Sequence, residues 1–150
     1  MKTDSQALPP ALEEIVELFE ESSGAEKVEL LLDYASRLPP LPESLRQAGE
    51  DTESVPECMT PVSVFAETRE GRLSFYFIVP EESPTVRGLA AIMSEGVKDA
   101  TPQEVLTIPG DFYQRMGLEQ VLTPQRLRGM AAILAHMKRL AASRLSGSAV

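Results

Sequence analysis

Val62-Ser-Val-Phe-Ala-Glu-Thr-Arg-Glu-Gly-Arg-Leu-Ser-Phe-Tyr-Phe-Ile78 changes the period of the chain. Val62, Val64 and Ala66 alternate with Ser63, Phe65 and Glu67; Leu73, Phe75 and Phe77 alternate with Ser74, Tyr76 and Ile78. Successive side chains of a strand point to opposite faces, so this alternation predicts two strands joined by a turn at Glu70-Gly71. The second run is apolar at nearly every position, which predicts a strand buried on both faces. Val55 to Met59 is expected to add a short third strand before Pro61.

Helical spacing governs the chain on either side. Pro9 and Pro10 suit a first helical turn, and Leu12, Ile15, Leu18 and Phe19 follow as an apolar stripe through Glu21. Ser22-Ser23-Gly24 breaks that helix. Ser23 with Glu26 is a capping-box pair for a second helix, with Val28, Leu31, Leu32 and Ala35 as its stripe. Leu38-Pro-Pro-Leu-Pro42 ends it, and a polar stretch with room for one short helix runs to Ser54. After Pro80, Ser83-Pro84 reads as N-cap and first helical residue, with Val86, Leu89, Ala90 and Met93 facing inward. Thr101-Pro-Gln-Glu104 is a second capping box, and a short segment at 111–116 stops at Gly117. Thr123-Pro124 opens a last helix with Leu127, Met130, Leu134, Met137 and Ala141 on one side. This order predicts an α+β fold, a small antiparallel sheet of about three strands flanked by N-terminal and C-terminal helices. With no internal repeat and no long linker, residues 9–145 are expected to form one domain, between a flexible N-terminus at 1–8 and a flexible tail at 146–150.

Composition narrows the classes. With 43% hydrophobic residues in 150, the chain can bury one core. A single cysteine excludes an internal disulfide and every multi-cysteine metal site, and it fits a reducing compartment. The N-terminus has neither a secretory nor a transit-peptide layout, and no apolar run reaches membrane-spanning length. A soluble cytoplasmic protein with no membrane partner is expected. Residues 1–57 carry 4 basic and 14 acidic side chains, a balance of −10, whereas residues 112–150 carry 6 and 1, a balance of +5. Most of that surface repels phosphate, so nucleic acid is not an expected partner. The polarity reads as a solvated acidic face beside a basic helix, or as a docking surface for a charged protein.

Cys58 is the first chemical candidate. A lone cysteine is ordinarily a small buried hydrophobe, but Pro56 and Pro61 restrict this stretch, and Glu53, Ser54, Glu57 and Thr60 make it polar and solvent-facing. A cysteine hydrolase needs a base within hydrogen-bond reach. The one histidine, His136, falls late in the last helix and reads as a surface or half-buried residue. Without a second cysteine, chemistry that needs a resolving thiol is also excluded. What remains is carriage: accepting an atom or group and handing it on. Glu57 disfavours the neighbouring thiolate, so activation falls to a cation such as Arg87 or Arg126, or to a partner enzyme. No Gly-rich phosphate loop, paired metal ligands or aromatic platform is present, and neither cofactor nor metal is expected.

Five blocks together resemble the SufE family, sulfur-acceptor proteins that partner cysteine desulfurases in iron–sulfur cluster assembly. They are Glu29-Leu-Leu-Leu-Asp-Tyr-Ala-Ser-Arg-Leu-Pro39, Val55-Pro-Glu-Cys-Met-Thr-Pro-Val62, Thr85-Val-Arg-Gly-Leu-Ala-Ala91, Thr101-Pro-Gln-Glu-Val-Leu106 and Leu122-Thr-Pro-Gln-Arg-Leu-Arg-Gly129, in family order between about Leu12 and about Ala142. The resemblance implies a SufE/NifU-like fold and a persulfide carrier rather than a stand-alone enzyme. Cys58 would accept sulfur from a SufS-type cysteine desulfurase, stimulate it, and pass the sulfur to a downstream Fe–S scaffold protein. The pyridoxal cofactor would belong to the partner. Arg126 matches the arginine of a Thr-Pro-Ser-Arg-like motif, and Glu82 falls where the family usually has aspartate. Together with Glu57 and Arg87 they are the residues implied for docking or for supporting the loop. The chain departs from the family at the loop itself: Glu57 replaces the usual glycine, and Met59-Thr-Pro-Val-Ser63 replaces a Gln-Ser-Gln-Val-Trp-like run. The alternative is a binding or regulatory module of the same fold that docks a desulfurase or another protein without carrying sulfur.

Overall fold

A two-residue turn sets the sheet. Glu70 (φ 54°) and Gly71 (φ 80°) both take the left-handed region, which matches the right-handed twist of the strands they join. The computed structural model describes residues 8–48, 52–54 and 60–148. Along it run α1 (Pro10–Glu20), α2 (Gly24–Ser36), α3 (Glu43–Ala48), β1 (Thr52–Ser54), β2 (Ser63–Arg69), β3 (Arg72–Ile78), α4 (Pro84–Gly96), α5 (Pro102–Leu106), 3-10 turns at Phe112–Met116 and Leu118–Gln120, and α6 (Pro124–Ser148). The strands form one antiparallel sheet in the order β1-β2-β3. The fold is α+β, as expected. The third strand comes earlier than Val55–Met59, at Thr52–Ser54, and the stretch first assigned to it lies outside the described residues.

Helix α4 is the centre. Val86, every residue from Gly88 to Ser94, and Gly96 are buried, which leaves it almost no solvent face. It touches α2 and α1 without side-chain spacers. A Cβ on Gly88 would collide with the Leu31 carbonyl oxygen of α2, and one on Gly96 would lie 2.8 Å from Leu12 Cδ1 of α1. Leu12, Val86, Leu89, Ile92, Phe75 and Met130, each 1% exposed or less, form the core where these helices meet β3 and α6.

Both capping boxes form. Ser23 Oγ accepts from the Glu26 N–H at 3.3 Å, and Thr101 Oγ1 accepts from the Glu104 N–H at 3.2 Å. The stripe of α2 is rotated from the expected one. Lys27, Leu31, Tyr34 and Ala35 face inward, while Val28 and Leu32 are exposed. The cause is electrostatic: the Lys27 ammonium donates to the Phe19 carbonyl at 2.5 Å and the Ser22 carbonyl at 2.6 Å, at and just past the end of α1, where the regular helical ladder runs out. Tyr34 stacks on Phe19 with ring centroids 6.2 Å apart. In α1, Val16 takes the inward position expected of Leu18, which is exposed. The hairpin departs similarly: β3 is buried on one face only, with Ile78 exposed, and β2 buries Val64, Phe65 and Ala66 in succession.

Strand carbonyls without a neighbouring strand are capped from the helices. Ser94 Oγ of α4 donates to the Phe75 carbonyl at 2.8 Å, and Arg144 Nη2 of α6 donates at 3.0 Å to the carbonyl of Ala66, one step beyond the last β1–β2 pair. Between the first 3-10 turn and α1, Arg115 forms a bidentate pair with Glu13 (3.0 and 2.8 Å) and bonds Glu20 at 3.1 Å.

Two outcomes are expected. Gly88→Ala should lower the unfolding free energy in urea by about 1–3 kcal/mol, because overpacking against Leu31 outweighs a helix-propensity gain of roughly 1 kcal/mol. A hydrogen bond to Glu13 and then desolvation raise the Glu17 pKa above its ordinary 4.5. A raised carboxyl favours the fold at low pH and costs stability once ionised. Glu17→Gln should therefore raise Tm slightly at pH 7, and the gain should vanish as pH falls below the carboxylate range.

Candidate functional site

Three strand ends meet at one end of the sheet. Ser54, the end of β1, pairs with Ser63, the start of β2, and Ser63 pairs on its other side with Ile78, the end of β3. Cys58, its neighbour Glu57 and Met59 lie outside the described residues. The chain is described again from Thr60, three residues before β2.

Helix α6 starts against that point. Thr123 caps it: its carbonyl accepts the Leu127 N–H at 3.1 Å and its Oγ1 accepts the Arg126 N–H at 3.3 Å. Pro124 fixes the first turn. This turn directs the half-buried Arg126 side chain to the incoming loop, where Nη1 donates to Thr60 Oγ1 at 3.3 Å. The bond joins segments 66 residues apart. Sequence reading missed Thr60 as a partner, because nothing local to a threonine after a proline-flanked cysteine identifies a distant guanidinium.

The other proposed residues have different surroundings. Arg87, half-buried in α4, donates from Nη1 to the Val79 carbonyl at 2.9 Å, fastening the end of β3 to the helix that follows. Glu82 is exposed, immediately before the N-cap Ser83, whose hydroxyl makes no capping bond. Among the described residues, no ion pair links Glu82 to Arg87 or Arg126. Arg87 and Arg126 thus serve the same end of the sheet, one through β3 and the other through Thr60. Neither is joined to Glu82.

This corner is electropositive. The N-terminus of α6 carries the positive end of a 25-residue helix, has no acidic residue in its first turn, and adds Arg126 and the exposed Arg128. Helices normally place carboxylates there. The arrangement stabilises negative charge on whatever lies against it, a thiolate included. His136, expected on the surface or half-buried, is buried, and its Nδ1 lies 3.1 Å from Arg139 Nη2. It is about 15 Å along α6 from Arg126, at about 1.5 Å per residue. No helix among the described residues is long and apolar enough to cross a membrane.

The fold and sequence are shared with known proteins. The solution structure of a hypothetical protein from Thermus thermophilus aligns with a TM-score of 0.82 and 37% identity, covering 93% of this chain and 99% of that one. An uncharacterized SufE-like protein of Mycobacterium tuberculosis is 39% identical over 138 residues, 91% of this chain and 95% of its own. A Plasmodium vivax protein named cysteine desulfuration protein SufE is 24% identical over 140 residues, 91% of this chain and 54% of its own. Residues 13–141 match the family model described as SufE, Fe-S metabolism associated domain. The capping boxes, the hairpin and the cationic start of α6 all fall within that match, and the chain belongs to the SufE family.

Proposed function

We propose that this chain is a sulfur acceptor in iron–sulfur metabolism, with Cys58 as the carrier. The Cys58 thiolate attacks the terminal sulfur of a persulfide on a SufS-type cysteine desulfurase. A new S–S bond forms on Cys58, the donor's S–S bond breaks, and the donor cysteine leaves as thiolate, so no external oxidant or reductant is needed. The same exchange then delivers the sulfur to a downstream Fe–S scaffold protein. A reducing cytoplasm, in which an unpaired thiol persists, is the setting for this chemistry.

The observation that supports this reading most directly is the Arg126–Thr60 hydrogen bond. Two peptide units separate Thr60 from Cys58, a span of about 7 Å at most. The cationic start of α6 is therefore tied to the chain close to the sulfur. It favours the attacking thiolate and opposes the unfavourable charge of Glu57. Glu82, Arg87 and Arg126 border the surface that a desulfurase must cover when Cys58 enters its active site. Their part is to guide and hold that encounter.

Two experiments test this. Incubated with a cysteine desulfurase and free cysteine, the wild-type protein should gain the mass of one sulfur atom on Cys58, and Cys58→Ser should gain none. A complex that forms but leaves Cys58 unmodified would replace carriage with docking alone. Arg126→Ala should slow transfer at low ionic strength by about fivefold, the rate equivalent of an exposed charge contact worth about 1 kcal/mol. Added salt should narrow the gap, and Arg126→Lys should recover only part of the rate, because it keeps the charge but loses the fork geometry. Unchanged low-salt kinetics in a stable Arg126→Ala protein would refute the role, and a large loss of Tm would make the residue structural.

A further inference from the structure

The outer edge of β3 is only partly covered. Leu73 turns both of its backbone groups outward, its N–H to the Ala100 carbonyl at 2.7 Å and its carbonyl to the Asp99 N–H at 2.8 Å. Hydrogen-bonded and non-bonded pairs alternate in an antiparallel ladder, so Phe75 and Phe77 also turn theirs outward. Ser94 takes the Phe75 carbonyl. The Phe75 N–H meets no acceptor among the described residues. Unpaired backbone donors are uncommon where water is restricted.

A cavity of about 260 Å³ lies along this edge. One wall is Ser74 to Tyr76, and the other runs from Ser94 and Glu95 near the end of α4 to Lys98 in the turn just past it. Arg37, from the end of α2, closes it with Pro39. The Arg37 guanidinium is fixed 4.3 Å above the Tyr34 ring and 3.3 Å from Asp33. Burial first, and then the charge of Glu95, raise the Tyr34 pKa above 10.0, with Arg37 opposing. The cavity's charged groups are two cations and one anion, next to an outward-facing backbone donor.

We infer that this cavity binds a small zwitterion, a free α-amino acid. Its carboxylate is received by Lys98, Arg37 and the Phe75 N–H, and its ammonium by Glu95. Charge-assisted hydrogen bonds of this kind are the strong ones. A simple carboxylate would be repelled by Glu95 and a simple amine by Lys98, while Arg37 shares its charge with Asp33, so a ligand carrying both charges fits the set best. The volume suits a molecule of that size. None of these residues takes part in the Arg126–Thr60 corner, so the inference does not rest on sulfur transfer.

Titration calorimetry on the whole chain at low ionic strength tests it, using a panel of standard amino acids with N-acetylalanine and ethylamine as controls lacking one charge. At least one amino acid should bind saturably at millimolar concentration or below. The matching single-charge analogues should bind about tenfold more weakly, the ratio for losing one charged hydrogen bond. Lys98→Gln should weaken the amino acid severalfold, and Glu95→Gln should abolish the preference for it over its N-acetyl form. Both side chains are exposed, and thermal melts verify that the variants fold. No saturable binding by any amino acid, equal binding of the N-acetyl form to wild type, or wild-type behaviour in both variants would overturn the assignment.

Discussion

The backbone contact between α4 and α2 at Gly88, with its counterpart to α1 at Gly96, constrains the rest of the molecule. A helix buried on nearly every side must meet each neighbour at a distance set by its own side chains. Two of those meetings occur where α4 has none. Leu89, Ile92 and Met93 can then reach β3 and α6 while α1 and α2 lie close on the other side. Each such apolar side chain contributes roughly 1.5–3 kcal/mol when fully buried. If α2 were displaced at Gly88, Tyr34 and Arg37 would shift with it, and so would the wall of the cavity along β3.

The sheet is small, and its stability as an independent unit would be marginal. Helices supply what further strands would have provided. Ser94 and Arg144 each donate to a strand carbonyl that no described strand reaches, and Arg87 donates to the Val79 carbonyl just past β3. These caps also blunt the edges against pairing with another chain. They explain why polar residues occupy α4 and α6 positions next to the core, where the apolar pattern alone would call for a hydrophobe.

Sequence reading recovered what local rules determine. The hairpin follows from alternation around Glu70-Gly71, and the two capping boxes and the proline-led helix starts follow from residue type and spacing. It went wrong where a distant partner decides. Lys27 points inward because the end of α1 offers it two carbonyls, and no window on α2 reveals that. Val28 and Leu32, apolar and correctly spaced for a buried stripe, are left exposed as a result. Ile78 reads as core by composition, yet it sits on the uncovered face of β3. At the candidate site, Arg126 could be picked out by its motif, but its bond to Thr60 is a tertiary fact.

The start of α6 shows why that tertiary fact matters. Arg126, in the first turn, opposes the helix dipole, a cost of roughly 0.3–1 kcal/mol where a carboxylate would have gained as much. A surface selected only for stability would carry Asp or Glu there. Arg126 recovers part of the cost through Thr60 Oγ1, but Arg128 is exposed and makes no ion pair among the described residues. Glu57 has the opposite sign and adjoins Cys58 directly in sequence, so in the proposed role the charge at the sulfur would be a balance between a neighbour in sequence and a helix brought in by the fold. Glycine before the cysteine would remove the opposing charge. Under the proposed role, Glu57 would restrain the free thiol, and a partner that draws the carboxylate away, or supplies its own cation, would release it, so that reactivity would be confined to the docked state.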